Sequence, residues 1–196
     1  MKKVKNILVY NYDYSRLGFT LEGEFFISSI FTFQTEIKAK SKRDFLIQYS
    51  QNLFYSFCQL KILVKKYEHL ISWDKRLNQF RMDHDKWILR KELIIDSKEI
   101  YLSVPGWLFI LNRSRKFNFT QLYILSLAVS CFYKRKHFEW ANETIAHKLG
   151  MKSRKSISDN VNKLKKIGLI EVTPTNRANI LYVTDKLLDY EHFRKR

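Results

Sequence analysis

The 196-residue sequence predicts an α+β, mainly α protein, and three observations carry that prediction. Between residues 140 and 172, apolar side chains recur at helical spacing twice in succession: Ile145, Ala146 and Leu149, then Ile157, Val161 and Leu164. Upstream lies an apolar run containing Leu122, Ile124, Leu125, Leu127, Ala128, Val129, Cys131 and Phe132, long enough for a helix of about three and a half turns. Downstream, Leu169-Ile170-Glu171-Val172 alternates like a strand, and Ile180-Leu181-Tyr182-Val183 makes a second one after a loop holding Pro174 and Arg177. Three helices and a hairpin are therefore expected in residues 101–196, with residues 1–100 forming a separate N-terminal α+β domain.

In the N-terminal half, the alternation of Tyr10, Tyr12 and Tyr14 suits one face of a strand. Thr20 is placed to cap a helix running to Phe33, rich in Leu21, Phe25, Phe26, Ile30 and Phe31. A basic link over residues 38–43 leads to helical stretches at 44–57 and 59–71. Residues 76–82 and 86–95 then read as two strands around Asp83-His84-Asp85, a turn by composition. Helix, helix, helix, hairpin is the order expected of the C-terminal half as well. The text also echoes, Ser15-Arg-Leu-Gly-Phe-Thr20 against Ser114-Arg-Lys-Phe-Asn-Phe-Thr120, with the Phe-Thr pairs 100 residues apart. Two readings stay open: an internal duplication, or an unrelated helical or α+β dimerisation domain.

Pro105-Gly106 marks a turn between the halves, and Trp107 and Phe109 are expected to pack the first helix of the second. Phe119-Thr120 opens that helix. Asn142 stands where an N-cap accepts free backbone N–H groups, with Glu143 adding negative charge to the first turn. Gly150 permits the turn that follows, Ser153 caps the next helix, and a strand begins after Gly168. The outward side of the helix beginning at Ser153 carries Arg154, Lys155, Ser158, Asn162 and Lys165.

Charge points to a polyanionic partner. There are 36 Lys and Arg against 19 Asp and Glu, a formal net charge of +17. Between Arg113 and Lys166 there are 13 basic residues and 3 acidic ones, so +10 of the +17 lies in 54 residues. Such a field attracts and steers nucleic acid. A helix that is apolar inside and basic outside also has the dimensions to enter a DNA major groove.

Two phrases then stand out: N-E-T-I-A-x-K-L-G-M over residues 142–151, and S-x-x-x-I-x-x-x-V-x-x-L-x-x-x-G-L-I over 153–170. With the preceding helix and the following hairpin, residues 117–184 resemble a winged helix-turn-helix domain of bacterial, phage and plasmid proteins. Tyr101-Leu-Ser-Val-Pro-Gly-Trp-Leu-Phe109 resembles the lead-in to such domains in plasmid and phage replication proteins. The resemblance implies a sequence-specific double-stranded DNA-binding protein. A degenerate second winged helix in the N-terminal half is the duplication reading in these terms. Arg154 and Asn162 are the candidates for base readout, since Arg matches guanine acceptors and Asn the adenine edge. Lys155 and Ser158 are placed to reach base edges or nearby phosphates, Lys148 and Lys152 to hold phosphates, and Arg177 to touch the minor groove or backbone from the wing. Two roles follow: a replication initiator binding the origin of a mobile element such as a plasmid, or a transcription regulator whose N-terminal half dimerises or senses a ligand. A winged helix serving as a protein-interaction module is a third class, which would not need this charge.

Catalytic constellations are missing from the sequence. It has no Gly-rich phosphate loop, no G-x-S-x-G elbow, and no pair of His separated by one apolar residue beside a nucleophilic Tyr. Asp83-His84-Asp85 is too tight to converge on one ion, and Cys58 and Cys131 are expected to be buried small hydrophobes rather than ligands. No cofactor is expected and the protein reads as a non-enzyme. With no apolar window long enough for a bilayer and no signal peptide at its start, it is expected in the cytoplasm, away from membranes, with a homodimer as one form.

Overall fold

A computed structural model of the chain describes residues 7–10, 20–52, 55–82, 101–108, 111, 117–134, 138–149, 151, 153–176 and 178–192. The fold is α+β and mainly α, with small antiparallel sheets. Strand β1 (Ile7–Tyr10) precedes helices α1 (Leu21–Phe33), α2 (Lys42–Asn52) and α3 (Phe57–Lys66), then strands β2 (Ile71–Asp74) and β3 (Gln79–Met82). Strand β4 (Tyr101–Val104) opens the second half. Helix α4 (Phe119–Tyr133), strand β5 (Phe138–Trp140), helices α5 (Asn142–Lys148) and α6 (Arg154–Lys166), strands β6 (Ile170–Pro174) and β7 (Asn179–Val183), and helix α7 (Asp185–His192) complete it.

The halves are joined rather than strung apart. β1 pairs antiparallel with β4, Ile7 opposite Val104 and Tyr10 opposite Tyr101, so one sheet takes a strand from each half. α1 packs on β1, α4 packs on β4, and the two helices touch each other. The Phe25 and Phe119 rings lie 5.7 Å apart. One connected apolar core runs from Leu21 to Leu187.

Local chemistry explains where the helices begin. Thr20 Oγ1 accepts from the Gly23 N–H (3.2 Å) and bonds the Tyr67 hydroxyl (2.8 Å), tying the start of α1 to the end of α3. Ser56 and Gln59 form a reciprocal capping box at α3. α4 is capped one residue earlier than its Phe119-Thr120 opening suggests. Asn118 and Gln121 make the box, and Thr120 is buried inside the helix.

In each half three helices precede a hairpin, with β5 inserted after the first helix of the second half. The cap residues Ser56 and Ser153 are 97 positions apart, as are the buried pairs Leu60 and Ile157, and Val64 and Val161. Both hairpins turn through four residues: 75–78 between Asp74 and Gln79, and 175–178 between Pro174 and Asn179. Residues 76–78, expected in a strand, thus belong to a turn, while 79–82 are strand as expected. Asp74 Oδ1 accepts from the Arg76 and Leu77 N–H groups (2.8 and 3.1 Å), and Asn78 takes the left-handed conformation at φ 50. Asp83-His84-Asp85, residues 86–95, Tyr12, Tyr14 and the Ser15–Phe19 and Ser114–Lys116 segments lie outside the described residues. Cys58 is exposed rather than buried, because it lies on the outer side of α3.

Among the described residues the halves differ at one sheet edge. In the second half β5 adds to β7, with Glu139 opposite Ile180, giving the strand order β5-β7-β6. In the first half the Phe80 N–H of β3 donates instead to Gln34 Oε1 (3.1 Å), a side chain just after α1.

Candidate nucleic-acid interface

The charge-bearing element is α6, thirteen residues and about 20 Å long at 1.5 Å per residue. Ser153 Oγ accepts from the Lys155 N–H (3.1 Å) and starts the helix where its residue type predicts. Its end is equally determined. The Gly168 N–H donates to the Lys165 carbonyl (2.9 Å) and the Leu169 N–H to the Leu164 carbonyl (3.2 Å), with Gly168 left-handed at φ 74. This is a Schellman close, and its apolar contact is the fully buried Leu164 with Leu169. The Lys186 ammonium donates to the Ile167 carbonyl (2.7 Å), so α7 braces the same end.

Ile157, Asn160, Val161 and Leu164 form the buried side of α6, against α4 and β6. Asn160 is the unexpected member. Its Oδ1 accepts from Asn118 Nδ2 (2.8 Å) and its Nδ2 donates to the Ser156 carbonyl (2.7 Å). The residue that caps α4 is thereby locked to the middle of α6, which fixes the angle at which α6 presents its other face.

That other face follows from the helical period, because residues two apart lie about 200° around the axis. Lys155, Asp159, Asn162 and Lys166 are each two positions from a buried residue, and all are exposed. Arg154 and Lys165 are exposed on one flank and Lys163 on the other, while Ser158 is half-buried. Five cations and one carboxylate lie on these thirteen residues, a net +4. The structure thus places Lys155 and Asn162 together on the outermost stripe, Arg154 beside them, and Ser153 at the cap. The Lys148 side chain, Lys152 and Arg177 lie outside the described residues, as do Gly150, Arg135 and Lys136.

α5 begins at Asn142, with Ala141 rather than Asn142 in the capping position. The Asn142 carboxamide is engaged elsewhere: its Oδ1 accepts from Trp140 Nε1 (2.7 Å), satisfying a buried indole at the end of β5. The chain then reverses into α6 with the Met151 N–H donating to the Ala146 carbonyl (2.8 Å). At the hairpin turn, Thr175 Oγ1 donates to the Ala178 carbonyl and accepts from the Ala178 N–H, and Thr173 to Asn176 are exposed.

The corresponding helix of the first half is chemically different. By the 97-residue spacing, Phe57, Cys58, Lys61, Ile62 and Lys65 of α3 stand where Arg154, Lys155, Ser158, Asp159 and Asn162 stand on α6. Ile62, at the outermost point, is 67% exposed. Lys61 lies over the Phe57 ring, and Lys66 over the Tyr67 ring and 3.9 Å from Glu22. The outward face of α3 therefore has cations but neither the guanidinium nor the carboxamide of α6.

Among the described residues, no group of three or more His, Cys, Asp or Glu side chains is placed to hold a metal ion, and no helix is long and apolar enough to cross a membrane. The chain matches no protein-family model and no curated protein.

Proposed function

We propose that this chain is a sequence-specific double-stranded DNA-binding protein whose C-terminal half is a winged helix-turn-helix, and that it acts as an origin-binding replication initiator of a mobile element. The observation that carries the DNA reading is α6: one side welded into the core through Ile157, Val161, Leu164 and Asn160, the other exposing Arg154, Lys155, Asn162, Lys163, Lys165 and Lys166. A helix held rigidly by its inner face can present a fixed pattern of donors to a groove about 12 Å wide.

In this reading α6 enters the major groove. Lys155 and Asn162, at the outermost stripe, meet base edges, Arg154 reaches a guanine from the flank, and Lys163, Lys165 and Lys166 neutralise phosphates. Lys148 and Lys152 add phosphate contacts at the turn, and Arg177 reaches the backbone or minor groove from the hairpin. Binding alone is the activity, with no catalytic group or cofactor involved. The matched spacing of caps, core residues and hairpins in the two halves supports an internal duplication, and a tandem arrangement suits an initiator that engages repeated sites. A transcription regulator is the second reading, favoured by the exposed Ile62 on α3, which suits a protein contact in a dimer.

Footprinting together with a salt titration tests both levels. Six phosphate contacts imply a loss of affinity on the order of a thousandfold between 50 and 200 mM salt. Binding independent of salt overturns the electrostatic reading. Protection of several repeated sites at an origin is expected; a single protected operator at a promoter transfers the protein to the regulator class.

A further inference from the structure

Asp159 is an anomaly on a face otherwise suited to polyanions. It occupies the outermost stripe of α6, two positions from both Ile157 and Val161, with Lys155, Asn162, Lys163 and Lys166 within seven positions of it. It lies beyond the first turn, so it neither caps the helix nor gains much from the helix dipole. It is exposed, so no core requirement explains it. It is no part of ion pairs such as Lys66–Glu22 and Arg81–Asp74. In a groove lined with phosphates, a carboxylate at this point opposes binding unless it meets a donor.

The major groove offers two kinds of base-edge donor, the exocyclic amines of cytosine and adenine. Adenine also presents the N7 acceptor beside its amine, which repels a carboxylate; cytosine presents the amine with no such acceptor. We propose that Asp159 is a specificity-determining residue that accepts a hydrogen bond from a cytosine N4 amine at one position of the target site. This inference rests on α6 being the reading helix. Asp159 then acts mostly by exclusion: where guanine or thymine stands, its carboxylate faces a carbonyl oxygen, and on random DNA it weakens binding. Lys163 and Lys166 supply attraction that is indifferent to sequence, and Asp159 makes that attraction conditional on the base.

The test is selection of double-stranded DNA sites from a random library by the full chain and by Asp159→Ala and Asp159→Asn, followed by affinities on single-base variants of the selected site. Wild type is expected to select cytosine at one position and to lose roughly ten- to hundredfold in affinity when that base pair alone is changed. Asp159→Ala should bind all four bases there within a few-fold of one another, while binding random DNA more tightly than wild type. Asp159→Asn should shift the preference from cytosine to adenine, whose N6 and N7 match a carboxamide. Both variants should melt at the wild-type temperature, since the side chain is solvated. A site preference identical in all three proteins, or an affinity gain spread evenly over every sequence, overturns the proposal while leaving α6 as a DNA-binding helix. A wild-type chain that selects no sequence at all overturns the sequence-specific reading itself, and this inference with it.

Discussion

Two asparagines two positions apart on α6 have opposite duties. Asn160 is buried and bonded to Asn118; Asn162 is exposed and bonded to nothing among the described residues. Asn160→Ala removes a buried partner and should cost roughly 1–3 kcal/mol of stability, read as a lower denaturant midpoint. Asn162→Ala should leave that midpoint unchanged. Both residues are visible in the sequence, but spacing alone separates them only for Asn162, which stands opposite Leu164. Asn160 sits at the edge of the apolar stripe, and its partner is 42 residues away, beyond the reach of any local pattern. Gln34 carries the same lesson in the first half. Its Oε1 takes the buried Phe80 N–H of β3, and Gln34→Leu should leave that N–H unpaired at a similar cost, measured by chemical denaturation.

The elements were legible where they are specified locally. Ser153 and Gly168 bracket α6 because a cap and a left-handed close are short-range chemistry. Gly168→Ala should destabilise the protein by roughly 1–2 kcal/mol. The added methyl group would lie 3.5 Å from the Lys186 ammonium, ordinary contact, so the cost is conformational rather than steric. Denaturation of Gly168→Ala beside Gly168→Asn checks this, because Asn tolerates the left-handed region better. β5 was not legible: three residues, Phe138-Glu139-Trp140, become a strand only because β7 offers a free edge. The β2–β3 turn was not legible: residues 76–78 read as strand by composition, but they form a turn built on the Asp74 carboxylate, with Arg81 Nε 2.7 Å from it across the hairpin. α7, which closes the end of α6, also had no distinct signal, having only two turns, with Leu187 fully buried.

At the scale of the whole molecule, the shared β1–β4 pair and the continuous core predict that the halves unfold together. Val161→Asp, which buries a charge in the second half, should therefore also lose the near-ultraviolet signal of Trp73 in the first. The core also sets an alkaline limit. Burial holds the Tyr49, Tyr55 and Tyr123 phenols well above their ordinary value of 10.0. A group raised in the folded state stabilises it fully below the unfolded pKa. As pH rises past 10, each buried tyrosine withdraws about 1.4 kcal/mol per pH unit, because only the unfolded chain ionises. Cooperative unfolding in a pH titration should accordingly coincide with the part of the tyrosinate absorbance that these three buried residues contribute. The strongly basic balance of the chain, +17, belongs to the whole sequence, and attraction of that kind does not distinguish one polyanion sequence from another.

What distinguishes reading from mere attraction is the ratio of affinities for a selected site and for random DNA, measured at one salt concentration for wild type and for Asn162→Ala. The account predicts that Asn162→Ala loses roughly 1–3 kcal/mol on the selected site and almost nothing on random DNA, so that the ratio falls. An unchanged ratio in a folded Asn162→Ala, together with unchanged binding by Arg154→Ala, would contradict it and leave α6 as a basic surface rather than a reader of sequence.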